Sequence, residues 1–299
     1  ASLNFAKGKV RYQDSSAQPS VSLDIDFSSA DFSYKPGGAL SGALKITGRK
    51  KTPGIFLFGF TYQPDDDSLT FQVSSSDNKT KLHGTVQDFS SHFYTQFSTQ
   101  MHLKEMNLLS PYAIGFTGFL TAQAEGASQG SHPKSFLRYL SLTGALDIRR
   151  GILLKENILA QILHSLKPVA SLALPPILSA GRRPYEGLIK GANTPFEVLQ
   201  TRVQVLEGLL HFDELRVKHS EYYLEGEGTY DIPNGKIDFR SRFVPLENLS
   251  AWLIQENPAF KAFENEKGRL VLPFLYRGLA PDIELEMDWD QISSIIKNK

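Results

Sequence analysis

The sequence contains no cysteine. A chain without thiols forms no disulfide, no thiolate nucleophile, no Cys-type zinc site and no iron–sulfur cluster. An excess charge of one sign is also lacking, because 32 Lys and Arg balance 32 Asp and Glu. Nucleic-acid binding therefore loses its usual electrostatic basis. We expect neither a cysteine-based site nor a nucleic-acid partner.

Long apolar runs are absent as well. No run approaches the roughly 18 residues that a membrane-spanning helix needs, and the opening segment ASLNFAKGKV lacks the layout of a signal peptide. Because the sequence begins abruptly, we expect a fragment whose targeting or anchoring segment lies upstream.

Alternation of apolar and polar residues dominates what is present, and its period of two is that of a half-buried strand. The clearest alternating sets are Val21, Leu23, Ile25 and Phe27, then Leu69, Phe71 and Val73, then Ile283, Leu285, Met287 and Trp289. Further strands are expected near residues 38–47, 54–62, 140–149, 201–206, 221–230, 236–244 and 269–276, between Gly, Pro, Asn and Asp turn signals. The sequence therefore predicts a mainly antiparallel β protein.

Helical periodicity is confined to short segments. An apolar stripe at 158–166 predicts an amphipathic helix near 157–167, with Asn157 as its N-cap. Further short helices are expected near 249–263 and over 291–296. The Pro- and Gly-rich stretch 171–187 is expected to be a loop across the sheet.

One turn pattern recurs, with two apolar residues at alternate positions and a glycine three residues after the second. It ends at Gly151, Gly208 and Gly235. Glycine accepts the positive φ of a hairpin turn, so we expect a tight turn at each of the three.

Candidate catalytic and metal-binding residues are present but weakly patterned. GASQG at 126–130 places Ser128 in a G-x-S-x-G pattern, but no helix pattern follows, so we expect a flexible loop and no esterase. Two sets of histidines could meet in a sheet and hold a metal. The acidic run at 65–67 and the alternating acidic residues of 284–290 are better explained by solvent exposure than by a calcium site or a catalytic carboxylate pair. The histidine sets are His211 and His219 with Asp213, and His83, His92 and His102. We expect no catalytic residue, no metal and no cofactor.

At residues 140–289 the sequence resembles the C-terminal region of the AsmA-like family of bacterial envelope proteins. The resemblance is carried by the glycine at 151 before an amphipathic helix, by the strand pair around Gly208, and by two later motifs. These are the G-x-G before an acidic strand (Gly226, Gly228, Asp231) and the closing pattern of Pro273, Gly278 and Pro281. It covers about half of the chain, so we divide the chain into an N-terminal β region, 1–130, continuous with an AsmA-like region, 131–299.

The resemblance implies an extended, curved antiparallel sheet that forms an open groove, and a non-enzymatic role in carrying phospholipid between the inner and outer membranes. It also implies a periplasmic location, an inner-membrane anchor and envelope protein partners. The residues expected to bind acyl chains together are Val21, Leu23, Ile25, Phe27, Leu69, Phe71, Val73, Leu146, Ile148, Val203, Val205, Ile283, Leu285, Met287 and Trp289.

Two questions stay open at this point. Basic pairs at turns either contact anionic head groups or only keep the protein soluble, and the pairs concerned are Arg149 with Arg150 and Arg182 with Arg183. Alternation also fits a structural or assembly module with a closed β core that acts through protein partners, because a closed core and an open groove have the same period.

Overall fold

The fold was analysed in a computed structural model. It describes residues 2–5, 8–14, 21–34, 40–47, 55–77, 79–88, 92–103, 116–130, 138–154, 157–166, 185–232, 234–265, 268–279 and 282–297.

Sixteen strands account for most of the described residues. In the first half they are β1 Ser2–Phe5, β2 Gly8–Asp14, β3 Val21–Tyr34, β4 Leu40–Thr47, β5 Ile55–Gln63, β6 Ser68–Ser75, β7 Lys81–Gln87, β8 Phe93–Leu103 and β9 Phe116–Gly130. They continue with β10 Ser141–Leu153, β11 Thr194–Leu206, β12 Leu209–Lys218, β13 Tyr222–Asp231, β14 Lys236–Pro245, β15 Leu272–Leu279 and β16 Asp282–Met287.

The described part of the chain contains four α-helices and one 3₁₀ helix, all of them short. They are α1 Ile158–Ser165, α2 Glu186–Lys190, α3 Glu247–Glu256, the 3₁₀ helix Pro258–Phe263 and α4 Trp289–Lys297. Among the described residues, no helix is long and apolar enough to cross a bilayer.

The strands follow one another in the sheet in chain order from β3 to β16, and both β1 and β2 pair with β3. Every strand pair for which the register is defined is antiparallel, as in a sheet built from successive hairpins. Within the described strands, the first and last do not pair with each other, so the sheet is not closed. The predicted fold class is confirmed: the protein is mainly β, with an open antiparallel sheet and a few short helices.

The chain divides into two compact units. The first contains residues 1–103 and 121–144, and the second contains 104–120 and 145–299. The boundary drawn from sequence, between residues 130 and 131, falls inside the first unit. Strands β9 and β10 have residues in both units.

The second unit has a packed core beneath its helices. The side chains of Phe243, Phe260 and Phe274 are fully buried, as are Leu249 and Leu253 on one face of α3. Each such side chain contributes about 1.5–3 kcal/mol relative to leaving it exposed. Helix α3 contacts β14 and the 3₁₀ helix, and α1 contacts β16 although it follows β10 in the chain.

The predicted N-cap of α1 is confirmed. The side-chain oxygen of Asn157 accepts a hydrogen bond from the backbone nitrogen of Ala160 at 2.8 Å. Its side-chain nitrogen donates to the carbonyl oxygens of Leu188, Ile189 and Gly191 at 2.9, 3.2 and 2.6 Å. One residue therefore begins α1 and ties it to the end of α2.

Two of the three predicted glycine turns are confirmed. Glu207 and Gly208 have φ values of 52° and 80° in the two-residue turn between β11 and β12, and Gly235 has φ 70° between β13 and β14. The prediction for Gly151 is wrong, because Gly151 lies inside β10. The positive φ falls instead on Arg150, at 51°, within the same strand.

Three further expectations are corrected or lie outside the described residues. GASQG forms the end of β9, and Ser128 is 2% exposed, so this segment is a strand and not a flexible loop. The last alternating strand ends at Met287, and Trp289 begins α4 with 51% of its side chain exposed. Of the expected loop at 171–187, only the start of α2 is described.

Candidate functional site: apolar faces of the sheet

In the first unit, β5–β8 place their apolar residues on one face, row by row. Phe60 lies opposite Phe71, which lies opposite Gly84, which lies opposite Phe97. Neighbouring rows join Phe58 to Val73 and Leu82, and Tyr62 to Leu69 and Val86. The pairing therefore assembles one apolar surface across β5–β7 that reaches β8 at Phe97, and we call it the β5–β8 face. The other two rows end on β8 at Thr99 and Thr95.

Most side chains of the β5–β8 face are only half-buried. Phe58, Phe60, Leu69, Phe71 and Val73 all belong to this intermediate class. By contrast, the largest core side chains of the second unit, such as Phe243 and Phe274, are fully buried. The β5–β8 face is therefore an apolar surface that is incompletely covered.

The other side of the same strands is polar, as alternation requires. Thr70, Gln72 and Gln96 are exposed there, and Ser98 lies within 3.1 Å of the ring nitrogen Nε2 of His83. Leu57 and Tyr94 are exceptions, since they are 48% and 37% exposed on this side.

The predicted lipid-binding residues of β3 occupy alternate positions of the strand register. Ile25 is paired with Val10, Leu23 with Tyr12 and Phe27 with Gly8, while Val21 is paired with Asp14. Their side chains lie outside the described part of the chain. The three lipid-binding residues predicted in β6 all lie on the β5–β8 face, and they are Leu69, Phe71 and Val73.

In the second unit, the apolar face of β12–β16 has two halves. Toward the helices it is buried, at Val217, Leu224, Phe243, Leu272 and Met287. Toward the hairpin turns it is only half-buried, and this open half consists of Leu210, Phe212, Tyr230, Ile237, Phe239, Tyr276 and Leu285. Helices therefore cover one end of this face and leave the other partly accessible.

In each unit, glycines on the apolar face let aromatic rings lie close against the neighbouring strand. A Cβ added at Gly84 would come within 2.7 Å of the ring of Phe71, and one at Gly126 would come equally close to the ring of Phe97. The ring of Phe239 covers Gly226 and Gly228 in the same way, at 2.7 and 2.6 Å. Sequence reasoning missed these contacts, although a glycine opposite an aromatic residue in a hairpin register is the signal that would have found them.

The remaining predicted lipid-binding residues differ in burial. Ile148 in β10, Val205 in β11 and Met287 in β16 are at most 5% exposed, whereas Leu146 and Val203 are half-buried. Leu285 lies in the open half of its face, Ile283 is paired with Gly278, and Trp289 lies outside the sheet.

The predicted head-group residues do not form a common site among the described residues. Arg149 makes an ion pair with Asp147 at 3.0 Å, and its guanidinium holds the pKa of that carboxyl below its usual value. The amide of Gln200 donates to the same carboxylate at 2.8 Å. Arg150 is exposed. Arg182 and Arg183 lie outside the described residues.

His219, one of the histidines considered as a metal ligand, is buried beside aromatic residues. It is 6% exposed, its ring stacks on Tyr222 with 4.5 Å between centroids, and its Nδ1 accepts a hydrogen bond from the backbone nitrogen of Glu221 at 3.0 Å. Burial lowers the pKa of His219 and raises that of Tyr222. In the part of the chain that is described, no three His, Asp or Glu side chains come together as a metal-binding set.

The opposite face of β12–β16 carries charged side chains, and we call it the charged face. Glu225 lies between two arginines, 3.2 Å from Nε of Arg216 and 3.7 Å from an Nη of Arg242. Arg277 pairs with Asp238 at 3.1 Å and reaches Glu286 at 4.0 Å. Cross-strand pairs of opposite charge stabilise a sheet modestly, by about 0.2–1 kcal/mol each.

Comparisons of the chain with protein families, with curated proteins and with solved structures found no match.

Proposed function

We propose that this protein is a non-enzymatic, AsmA-like envelope protein that binds phospholipid acyl chains on its apolar sheet faces and conducts them between the inner and outer membranes. In this role it acts in the periplasm, contacts membranes and supports outer-membrane lipid homeostasis. The observation that carries the proposal is the β5–β8 face, where register and alternation assemble half-buried aromatic and aliphatic side chains into one surface.

Physical chemistry gives such a surface a clear use. Two acyl chains contain about 30 methylenes, and at about 0.8 kcal/mol each their exposure to water costs on the order of 25 kcal/mol. A continuous apolar face offsets that cost along the whole path, while the head group stays in water. Such a face acts collectively and requires no catalytic residue, metal or cofactor.

A second candidate is a structural or assembly module with a closed core. The observation in its favour is the helix-covered half of the second unit, where Phe243, Phe260 and Phe274 are fully buried. The half-buried state of the β5–β8 face and of the open half of β12–β16 favours lipid binding over this alternative.

Native mass spectrometry of the purified chain, followed by lipid extraction, tests the proposal. We expect phospholipid to co-purify with the wild-type protein. Phe58→Asn places an amide on the β5–β8 face and should reduce the bound lipid several-fold. Leu57→Asn is the matched control, because Leu57 is the adjacent residue of the same strand and lies on the other side.

Lipid-free wild-type protein would overturn the proposal and favour the assembly module. Equal loss of lipid in both variants would also contradict it, since the two substitutions differ mainly in which side of β5 they alter. Far-ultraviolet circular dichroism confirms that both variants are folded.

A further inference from the structure

A cavity of about 400 Å³ lies among the strands β12–β14 and helix α4. Its charged lining residues alternate along each strand, and Arg216, Glu225 and Arg242 are direct cross-strand neighbours, as are Glu227 and Arg240. These positions belong to the charged face. The cavity therefore presents guanidinium and carboxylate groups side by side.

Helix α4 contributes one residue, Gln291, to the lining of this cavity. Asp288 precedes the helix, and its Oδ1 accepts a hydrogen bond from the backbone nitrogen of Gln291 at 3.0 Å. Its other oxygen lies 3.2 Å from Nε of Arg240, which belongs to the charged face. Helix α4 also contacts β15, where Leu275 lies in register with Arg240 and is 8% exposed. The helix thus begins against the charged face and places Gln291 at the cavity.

Two acceptor atoms at the start of α4 have no hydrogen-bond donor within the described part of the protein. They are Oε1 of Gln291 and Oδ2 of Asp288, and both atoms are buried. Asp288 is 2% exposed, and although its Oδ2 is within ion-pair distance of Arg240, the contact lacks hydrogen-bond geometry. Buried acceptors without donors are costly, so they favour a ligand that brings N–H groups.

The arginines favour a negatively charged group in the same ligand. Arg216 and Arg242 share one carboxylate, Glu225, and are 69% and 53% exposed. A guanidinium has five N–H donors, so each retains several for an oxyanion. Glu214 and Glu227 also line the cavity, and Glu214 makes an ion pair with Arg202 at 3.7 Å.

We infer that this cavity binds a small zwitterion that combines an oxyanion, held by Arg216 and Arg242, with a primary ammonium that donates to Gln291. The site lies on the charged face of β12–β16, and the proposed function is tested on the β5–β8 face, so the two proposals succeed or fail separately. The same chemistry occurs in free phosphoethanolamine and in a lipid head group.

Isothermal titration calorimetry of the full chain with three probes tests the inference. O-phosphoethanolamine carries both groups, phosphocholine has no N–H on its nitrogen, and inorganic phosphate has no ammonium. We expect phosphoethanolamine to bind about tenfold or more tightly than either of the others, which corresponds to about 1.4 kcal/mol or more.

Two variants and one control locate the site. Arg242→Gln should weaken phosphoethanolamine binding by about tenfold or more, and Gln291→Met should make phosphoethanolamine and phosphocholine bind equally. Arg277→Gln is the control, because Arg277 is on the same face but does not line the cavity, and it should bind like wild type. Circular dichroism of each variant separates lost binding from lost folding.

Several results would overturn the inference: no binding of phosphoethanolamine to wild type, no preference over phosphocholine, or unchanged binding in folded Arg242→Gln or Gln291→Met. Sedimentation with vesicles of phosphatidylethanolamine or phosphatidylcholine then identifies the source. Binding to the former alone, lost in Arg242→Gln, assigns the site to a lipid head group. Binding of the free probe without vesicle binding assigns it to a soluble zwitterion.

Discussion

The ring of Phe196 in β11 lies directly against Gly151 in β10. A Cβ added at Gly151 would come within 2.1 Å of Cζ of that ring and within 2.6 Å of the backbone oxygen of Thr117. Neither contact leaves room for a methyl group, and Phe196 is itself 5% exposed. The glycine is therefore required by close packing between strands, not by a turn.

Gly151→Ala should consequently destabilise the protein by about 1–3 kcal/mol, which is the usual cost of overpacking a core. Urea denaturation followed by circular dichroism measures the change. Gly187→Ala is the matched control, because a Cβ there meets nothing within 4 Å. If the two substitutions had equal effects, the assigned role of the Phe196 contact would be wrong.

Asn157 joins α1 to α2 through both ends of its side-chain amide. Asn157→Asp keeps the oxygen that caps α1 but replaces the nitrogen that donates to three carbonyl groups. We expect this variant to lose about 1–3 kcal/mol of stability at pH 7, since carbonyl groups then face a carboxylate. A stability equal to wild type would show that the cap alone matters.

The buried ring of His219 makes stability depend on pH. Burial lowers its pKa in the folded state below the usual 6.5, and this effect outweighs the attraction of Glu221 and Glu197 for the protonated ring. The unfolded chain therefore binds more protons at mildly acidic pH. Stability from this residue is fully present above pH 6.5 and is lost as the pH falls below that value.

Urea denaturation at pH 7.5 and pH 5.5 measures this effect. Wild type should lose more stability over the interval than His219→Gln, which has no titrating ring. Parallel pH profiles for the two proteins would rule out His219 as the cause.

Asp288 combines two roles at the start of α4, as the acceptor for the backbone nitrogen of Gln291 and as the ion-pair partner of Arg240. Asp288→Asn retains an oxygen for the cap but removes the charge, whereas Asp288→Ala removes both. We expect the alanine variant to be less stable than the asparagine variant by about 1 kcal/mol, the usual worth of a cap. Equal melting curves would show that Asp288 does not cap α4.

Sequence patterns identified several strands and helices, among them β6 and α1, because their causes are local, but β7, β8, β9 and α2 were not predicted. The period of two located Phe71 and Val73 on one face, and the stripe at 158–166 located α1, since each depends only on spacing along the chain. The turn at Gly208 was also predictable, because glycine accepts the positive φ that a two-residue hairpin turn of type I′ requires.

The contacts that were missed depend on neighbours that are distant in sequence. Gly151 has the same flanking pattern as the two turn glycines, but the ring of Phe196, 45 residues later, decides its place within a strand. Ser128 lies in a polar, glycine-rich segment that pairing nevertheless incorporates into β9. Gln291 could not be identified as a candidate ligand contact from the sequence, because its place at the cavity depends on where α4 packs beside Arg240.

Photo-crosslinking from the acyl chain shows which side of the sheet holds bound lipid. A phospholipid with a diazirine in its acyl chain is bound to the full chain, irradiated, and the adducts are mapped by peptide mass spectrometry. We expect adducts on the β5–β8 face, at Phe58, Phe60, Phe71 and Val73, and few at Leu57, Thr70 or Gln72 on the other side of the same strands. Adducts distributed equally over both sides, or absent from the β5–β8 face, would contradict this expectation.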